Sequence, residues 1–176
     1  DFHVVYVPVF NYLNVGNYSA LSINDYLDTI ERANILMGDV YPLDEQHLHF
    51  IDAFDSDFGV IGTMYDAALC HAVPRDCINV WSCAMRVTWT NLWPDADVGV
   101  GVVPTDYFMH WLGRSDVAGI SFFYTDGVLV RNDNDNTSDY SVLHEVGHSR
   151  GLDHEYNSVS GYWVRNSRLM DSSTSF

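Results

Sequence analysis

Residues 141–155 read SVLHEVGHSRGLDHE and place three histidines and a glutamate within eleven positions. On a helix, His144 and His148 lie one turn apart on the same face, with their Cβ atoms about 5–6 Å apart. Two imidazoles at that spacing can bind one zinc ion, whose bonds to histidine nitrogen are about 2.0–2.1 Å long. Glu145 lies one step around the helix, where it can reach a water molecule bound to the same metal and act as general base.

Gly151 explains how a third histidine can join this pair. A helix that continued through residue 154 would carry His154 away from the metal. Glycine adopts positive φ angles at little cost, so a sharp turn at Gly151 can bring His154 back as a third ligand. The stretch therefore predicts a helix over residues 139–151 that Gly151 ends, followed by a return of the chain to the metal.

The full pattern, H-E-x-x-H-x-x-G-x-x-H, is present here as HEVGHSRGLDH. It resembles the signature of the metzincin clan of zinc endopeptidases. The resemblance implies that His144, His148 and His154 bind zinc and that Glu145 is the general base. It also implies a methionine turn beneath the metal, and Met170 in RLMDSS is the only methionine after the motif. A methionine that merely fills a gap in the core is the alternative for this residue.

The same resemblance implies an α/β fold, with a twisted, mostly parallel sheet, a backing helix and an active-site helix. Residues 1–154 would form the upper catalytic subdomain of a single domain. Residues 155–176 would form a small, irregular lower subdomain that carries the methionine turn. The subfamily stays unassigned, because Glu155 follows the third histidine as in the astacins, whereas Ser172 stands where they carry a tyrosine. Only six residues follow Met170, so we expect a minimal catalytic domain.

In metzincins an edge strand of the sheet pairs with an extended substrate through main-chain hydrogen bonds, which is β-augmentation of a peptide. Position along the chain indicates which residues would form this strand: Gly119, Ile120, Ser121 and Phe122. Protein or peptide is therefore the expected partner.

Local patterns predict the other elements. Ser22 and Asp25 form a start like a capping box for a helix over residues 22–40, whose apolar residues recur at helical spacing. Asp126-Gly127 lies between two β-rich runs and predicts a hairpin. Runs rich in Val, Ile and aromatic residues predict strands at residues 2–13, 48–54 and 77–89, the last of them central. Residues 90–108, which contain two prolines and several turn-forming residues, predict a long surface loop.

Charge excludes several classes of partner. The chain has 24 acidic and 8 basic residues, a net charge of −16. All of its basic residues are arginine, so it contains no lysine. Phosphate binding needs Lys or Arg, so we expect no binding to nucleic acid or to an anionic membrane surface. No apolar run reaches the roughly 18–20 residues that a membrane span needs. The chain opens at Asp1, so either a leader has been removed or the chain was cut from a longer one. With the resemblance, we expect a secreted monomer whose leader has been removed.

A second metal is an open alternative at residues 132–139, NDNDNTSD, which concentrate oxygen ligands before the active-site helix. The segment departs from an EF-hand loop, because it lacks glycine at the sixth position and glutamate at the twelfth. A solvated turn is the first interpretation, and a calcium site is the alternative.

Two other functions compete with the peptidase. A family of bacterial zinc endoribonucleases has a similar three-histidine pattern, and GLDH fits its closing run. That family lacks glutamate after the first histidine and needs a basic groove for RNA, whereas this chain has Glu145 and a net charge of −16. The third interpretation is an inactive zinc module that binds peptides, against which the intact Glu145 argues.

Overall fold

The structure is a computed structural model that describes residues 1–9, 19, 21–41, 43, 46–52, 95–121, 126–133 and 138–152. The elements in these residues are β1 (Phe2–Pro8), α1 (Ile23–Val40), β2 (Leu48–Asp52), β3 (Val98–Val103), α2 (Tyr107–Leu112), β4 (Gly119–Ser121), β5 (Gly127–Arg131) and α3 (Ser138–Ser149). None of the described helices is both long enough and apolar enough to cross a membrane.

The described strands form one sheet in the order β2-β1-β3-β5-β4. Strand β1 is parallel to β2 and to β3, and β3 is parallel to β5. Strand β4 is antiparallel to β5 and lies at one end of this order. The expected α/β fold with a mostly parallel sheet is confirmed. The antiparallel pairing expected from Asp126-Gly127 is also confirmed, although Gly127 is the first residue of β5 and residues 122–125 lie outside the described ranges.

Helix α1 begins where its sequence predicts. Ser22 is the N-cap, and its side chain accepts a hydrogen bond from the backbone N–H of Asp25 at 3.4 Å. The cap satisfies one of the donors that the first turn of a helix leaves without a partner. Ile23, the first residue of the helix, is apolar but 38% exposed. The buried face repeats at steps of three and four residues: Tyr26, Thr29, Ile30, Ala33 and Met37.

The prediction of a surface loop over residues 90–108 is wrong for its second half. Val98–Val103 is strand β3 in the middle of the sheet, and all of its residues are buried. Tyr107, near the end of the predicted loop, begins helix α2. A parallel strand buried on both faces needs no polar alternation, and the glycines in VGVGVV hide its β-propensity. Residues 77–89, predicted to form the central strand, lie outside the described residues.

Strand β1 is also more central than its proline indicates. Pro8 predicts a bend or an edge strand, but β1 has a partner on each side. The proline is the last residue of the strand, where a missing N–H interrupts the ladder least. The backbone N–H of Val9 resumes the bonding to β3 by donating to the Val102 carbonyl at 2.9 Å.

The sheet buries apolar side chains on both faces. Helices α1 and α3 cover one face, and their core includes the fully buried Val4, Val100 and Val146. The other face carries a smaller cluster that includes Val5, Leu129 and residues of α2. Successive residues of each strand alternate between the two clusters, as the period of two in a strand requires.

The segment between β5 and α3 is tied down by polar side chains. The Thr29 hydroxyl on α1 donates to the Asn132 side-chain oxygen at 2.8 Å. The backbone N–H of Asp133 donates to the Ser138 hydroxyl at 2.6 Å, at the first residue of α3. The Asp133 carboxylate accepts from Arg131 Nε at 2.8 Å. These bonds fix the position at which α3 leaves the sheet.

The same bonds correct the expectation of a solvated turn. Asn132 is 3% exposed and Asp133 is 7% exposed, because their polar atoms bond to α1, to α3 and to Arg131 instead of to water. Residues 134–137 lie outside the described ranges, so the calcium alternative stays a prediction.

Burial in α1 gives a first test of this packing. Met37 is fully buried and Ile35 on the same helix is 63% exposed. We expect Met37→Ala to lower the free energy of unfolding by about 2–5 kcal/mol, because it removes buried methylenes and leaves a cavity. The matched change Ile35→Ala should stay within about 0.5 kcal/mol. Urea unfolding measures both, and equal losses would contradict the assigned orientation of α1.

Candidate metal centre

Helix α3 lies where the sequence predicts a helix over residues 139–151, and the structure confirms the presence of that helix. It spans Ser138–Ser149, close to the predicted 139–151. It packs against α1, β5 and β4, and Val142, Leu143 and Val146 are fully buried in that contact. This packing fixes the rotation of the helix about its axis. It therefore also fixes the direction in which the intervening side chains, His144 and Glu145, leave the helix.

His144 and His148 lie on one face of α3, as their spacing predicts. Their Nε2 atoms are 3.0 Å apart. The two rings are nearly perpendicular, at 88°, with centroids 4.6 Å apart. The two nitrogens therefore meet at hydrogen-bond distance beside the helix.

Gly151 ends α3 with the turn that the sequence predicts. Its φ is 86°, in the region that favours glycine. The Leu152 N–H donates to the Gly147 carbonyl at 3.0 Å, and the Gly151 N–H donates to the His148 carbonyl at 2.9 Å. This pair of bonds is a Schellman motif, which satisfies two carbonyls that the last turn leaves free.

The turn also determines which nitrogen of His148 holds the proton. His148 Nδ1 lies 2.7 Å from the Leu152 carbonyl oxygen. A carbonyl oxygen can only accept, so Nδ1 donates, and in the neutral ring the lone pair is then on Nε2. Metal-binding histidines are commonly held in this way by a backbone carbonyl. Gly151 thus contributes to the candidate site through the turn that places the Leu152 carbonyl.

The described part of the site, which is the pair of His144 and His148 imidazoles, fits a zinc ion. Tetrahedral zinc with bonds of about 2.0–2.1 Å separates two ligand nitrogens by about 3.3–3.4 Å, close to the 3.0 Å between the imidazoles. Within the described ranges, no group of three or more His, Cys, Asp or Glu side chains is arranged to hold a metal. The third predicted ligand, His154, lies outside those ranges, as does Met170.

Glu145 is buried between α3 and the sheet, with 7% of its surface exposed. Burial raises the pKa of its carboxyl to about 7, and the Ser121 hydroxyl lowers that pKa in part. The Ser121 hydroxyl on β4 is itself buried, beside this carboxyl. A carboxyl whose pKa lies near neutral pH can both accept and return a proton, as a general base must.

The predicted substrate strand is an end strand of the described sheet. Gly119, Ile120 and Ser121 form β4, whereas Phe122 lies outside the described residues. Ile120 packs against the smaller cluster on the face away from α3. Gly119 lies against the Glu145 side chain, and a Cβ at this glycine would be 2.5 Å from Glu145 Cγ.

Sequence reasoning missed two parts of this site. The Leu152 carbonyl is a backbone atom, and only the position of Gly151 in the motif hinted at the turn that places it. Gly119 was assigned to a substrate strand, not to contact with Glu145. The period of two in β4 puts it on the same face as Ser121, but the sequence carries no signal that this face meets α3.

Comparison with known proteins does not assign this chain to a family. No protein-family model matches the chain, and no curated protein matches it.

Two glycines with opposite roles test the turn after α3. Gly151→Ala should lower the free energy of unfolding by about 1–2 kcal/mol, because the left-handed conformation is unfavourable for a residue with a Cβ. Gly38→Ala in α1 should raise it by about 0.4–1 kcal/mol, because a Cβ there meets nothing within 4 Å and the unfolded chain loses freedom. Urea unfolding of the two variants checks the signs. A Gly151→Ala protein as stable as the parent would contradict the turn.

Proposed function

We propose that this chain is a zinc-dependent endopeptidase, with His144, His148 and His154 as zinc ligands and Glu145 as general base. The observation that carries the proposal is the convergence of the His144 and His148 Nε2 atoms, 3.0 Å apart, beside a buried glutamate on the same helix. The bond from His148 Nδ1 to the Leu152 carbonyl supports it, since it leaves the His148 Nε2 lone pair for a metal.

Zinc, when bound, would polarise the scissile carbonyl and make an attacking water more acidic. Glu145 takes the proton of that water and later passes it to the departing amine nitrogen. Its burial against β4 keeps bulk water away from the carboxyl and holds it on the side of the helix that faces the sheet. No side chain forms a covalent bond with the substrate in this scheme.

The substrate in this proposal is an extended peptide that adds a strand beside β4. Strand β4 lies at one end of the strand order and runs antiparallel to β5. Main-chain hydrogen bonds recognise a peptide in this way without demanding a particular sequence. The net charge of −16 and the absence of lysine oppose RNA as substrate. A secreted, monomeric protein belongs to the same proposal and rests on the resemblance alone.

Metal analysis combined with a peptide-library digest tests the proposal. The full chain should bind one zinc ion, cleave internal peptide bonds, and lose activity with a chelator and regain it with zinc. RNA incubated in parallel should stay intact. A protein that binds no zinc, or that cleaves RNA but no peptide, would overturn the proposal. Zinc binding with neither activity would favour the peptide-binding module.

Glu145→Gln separates proton transfer from metal binding. Glutamine keeps the shape of the side chain but cannot accept the proton, so we expect kcat to fall by about 10²–10⁴-fold. Zinc content should stay at the parent value. His148→Ala is the matched control, because it should lose zinc and activity together. If Glu145→Gln loses its zinc as well, the assigned division of roles is wrong.

A further inference from the structure

We propose that Gly119 on strand β4 is a positioning residue for the Glu145 carboxyl, because its missing side chain creates the space in which that carboxyl is held. This inference rests on the proposed role of Glu145 as general base. The contact itself is a structural feature that can be tested without activity.

The space at Gly119 is occupied closely by Glu145. A Cβ built on Gly119 would lie 2.5 Å from Glu145 Cγ, 2.9 Å from Oε1 and 3.0 Å from Cδ. Contacts of this kind below 3.0 Å essentially never occur for real Cβ atoms. The described glycines with positive φ are Gly113 and Gly151, so backbone conformation is not what requires glycine at position 119. Close approach of a neighbouring group is one of the known uses of glycine in a strand, and the Glu145 contact shows it here.

Glu145 cannot escape such a contact by moving only its far end. Its Cγ is the second carbon of the side chain, so a clash there demands a new χ1 rotamer or a shift of α3. A shift of the helix is opposed by Val142 and Val146, which are fully buried against the sheet. The carboxyl must therefore rotate to another position when the space at Gly119 is filled.

Strand β4 is held in place by its pairing with β5. Gly119 pairs with Val130, and Ser121 pairs with Val128, on the buried strand β5. Ile120 between them packs on the opposite face of the sheet. The two residues of β4 that face Glu145 are thus a glycine, which gives space, and a serine, whose hydroxyl is buried beside the carboxyl.

Gly119→Ala should therefore impair the chemical step and spare the metal. We expect kcat to fall by about 10–100-fold, because a displacement of about 1 Å in a catalytic group can cost that much. KM should change by less than about twofold, since the added methyl points to α3 and the main chain of β4 is kept. Zinc content should equal that of the parent. Gly38→Ala in α1, where an added Cβ meets nothing within 4 Å, is the matched control and should leave kcat within about twofold.

A double-mutant cycle with Glu145→Ala provides a readout that does not depend on activity. Alanine at position 145 removes Cγ, Cδ and both oxygens, so a Cβ at position 119 then has room. We expect Gly119→Ala to lower the Tm of the zinc-loaded parent by several degrees and to lower that of the Glu145→Ala protein by less than half as much.

The outcomes separate this inference from the proposed function. Equal losses of Tm in both backgrounds would show that the strand, not Glu145, needs the glycine, and would overturn the inference. Unchanged kcat in a stable, zinc-loaded Gly119→Ala protein would overturn it too. If the parent cleaves no peptide, the proposed function fails, while a non-additive cycle would still establish the contact between Gly119 and Glu145.

Discussion

Helix α3 and strand β4 approach so closely at Gly119 that the Glu145 side chain occupies the space of a missing Cβ. This approach is set from outside the site. Buried valines hold α3 on the sheet, and β4 is paired with β5, which the core holds on both faces. The carboxyl is thereby buried without a cation beside it in the described chain, and the resulting desolvation raises its pKa toward neutral. The packing that buries the Glu145 carboxyl is therefore also the cause of its raised pKa.

The two ends of α3 are controlled by different interactions. At its start, Ser138 bonds to the backbone of Asp133, and the buried Asn132 bonds to Thr29 on α1. At its end, Gly151 adopts a positive φ and closes a Schellman motif whose carbonyl at Leu152 bonds back to His148. The first set of bonds fixes where the helix lies, and the second fixes the state of a candidate ligand. Both support the proposed site, because an imidazole binds a metal through the ring nitrogen that carries no proton.

The sequence predicts the parts of the fold that depend on local signals. Helix α1 follows from Ser22 and its apolar spacing, and α3 follows from the histidine spacing and Gly151. Strand β3 could not be read in the same way, because its Val and Gly residues sit between turn-forming segments and its burial comes from neighbours distant in the chain. The interpretation of Asn132 as solvated failed for the same reason, since its partner Thr29 lies on α1, far away along the chain.

The two glycines of the site show where sequence reasoning stops. Gly151 acts through its own backbone conformation. Its role can therefore be predicted from its position after His148 in the motif. Gly119 acts because it has no side chain, and this matters only because helix α3 lies against it. Neither composition nor periodicity near Gly119 refers to Glu145, which is 26 residues away in the sequence. A motif can therefore identify which residues do the chemistry, while the residues that hold them in place are identified by contacts between elements.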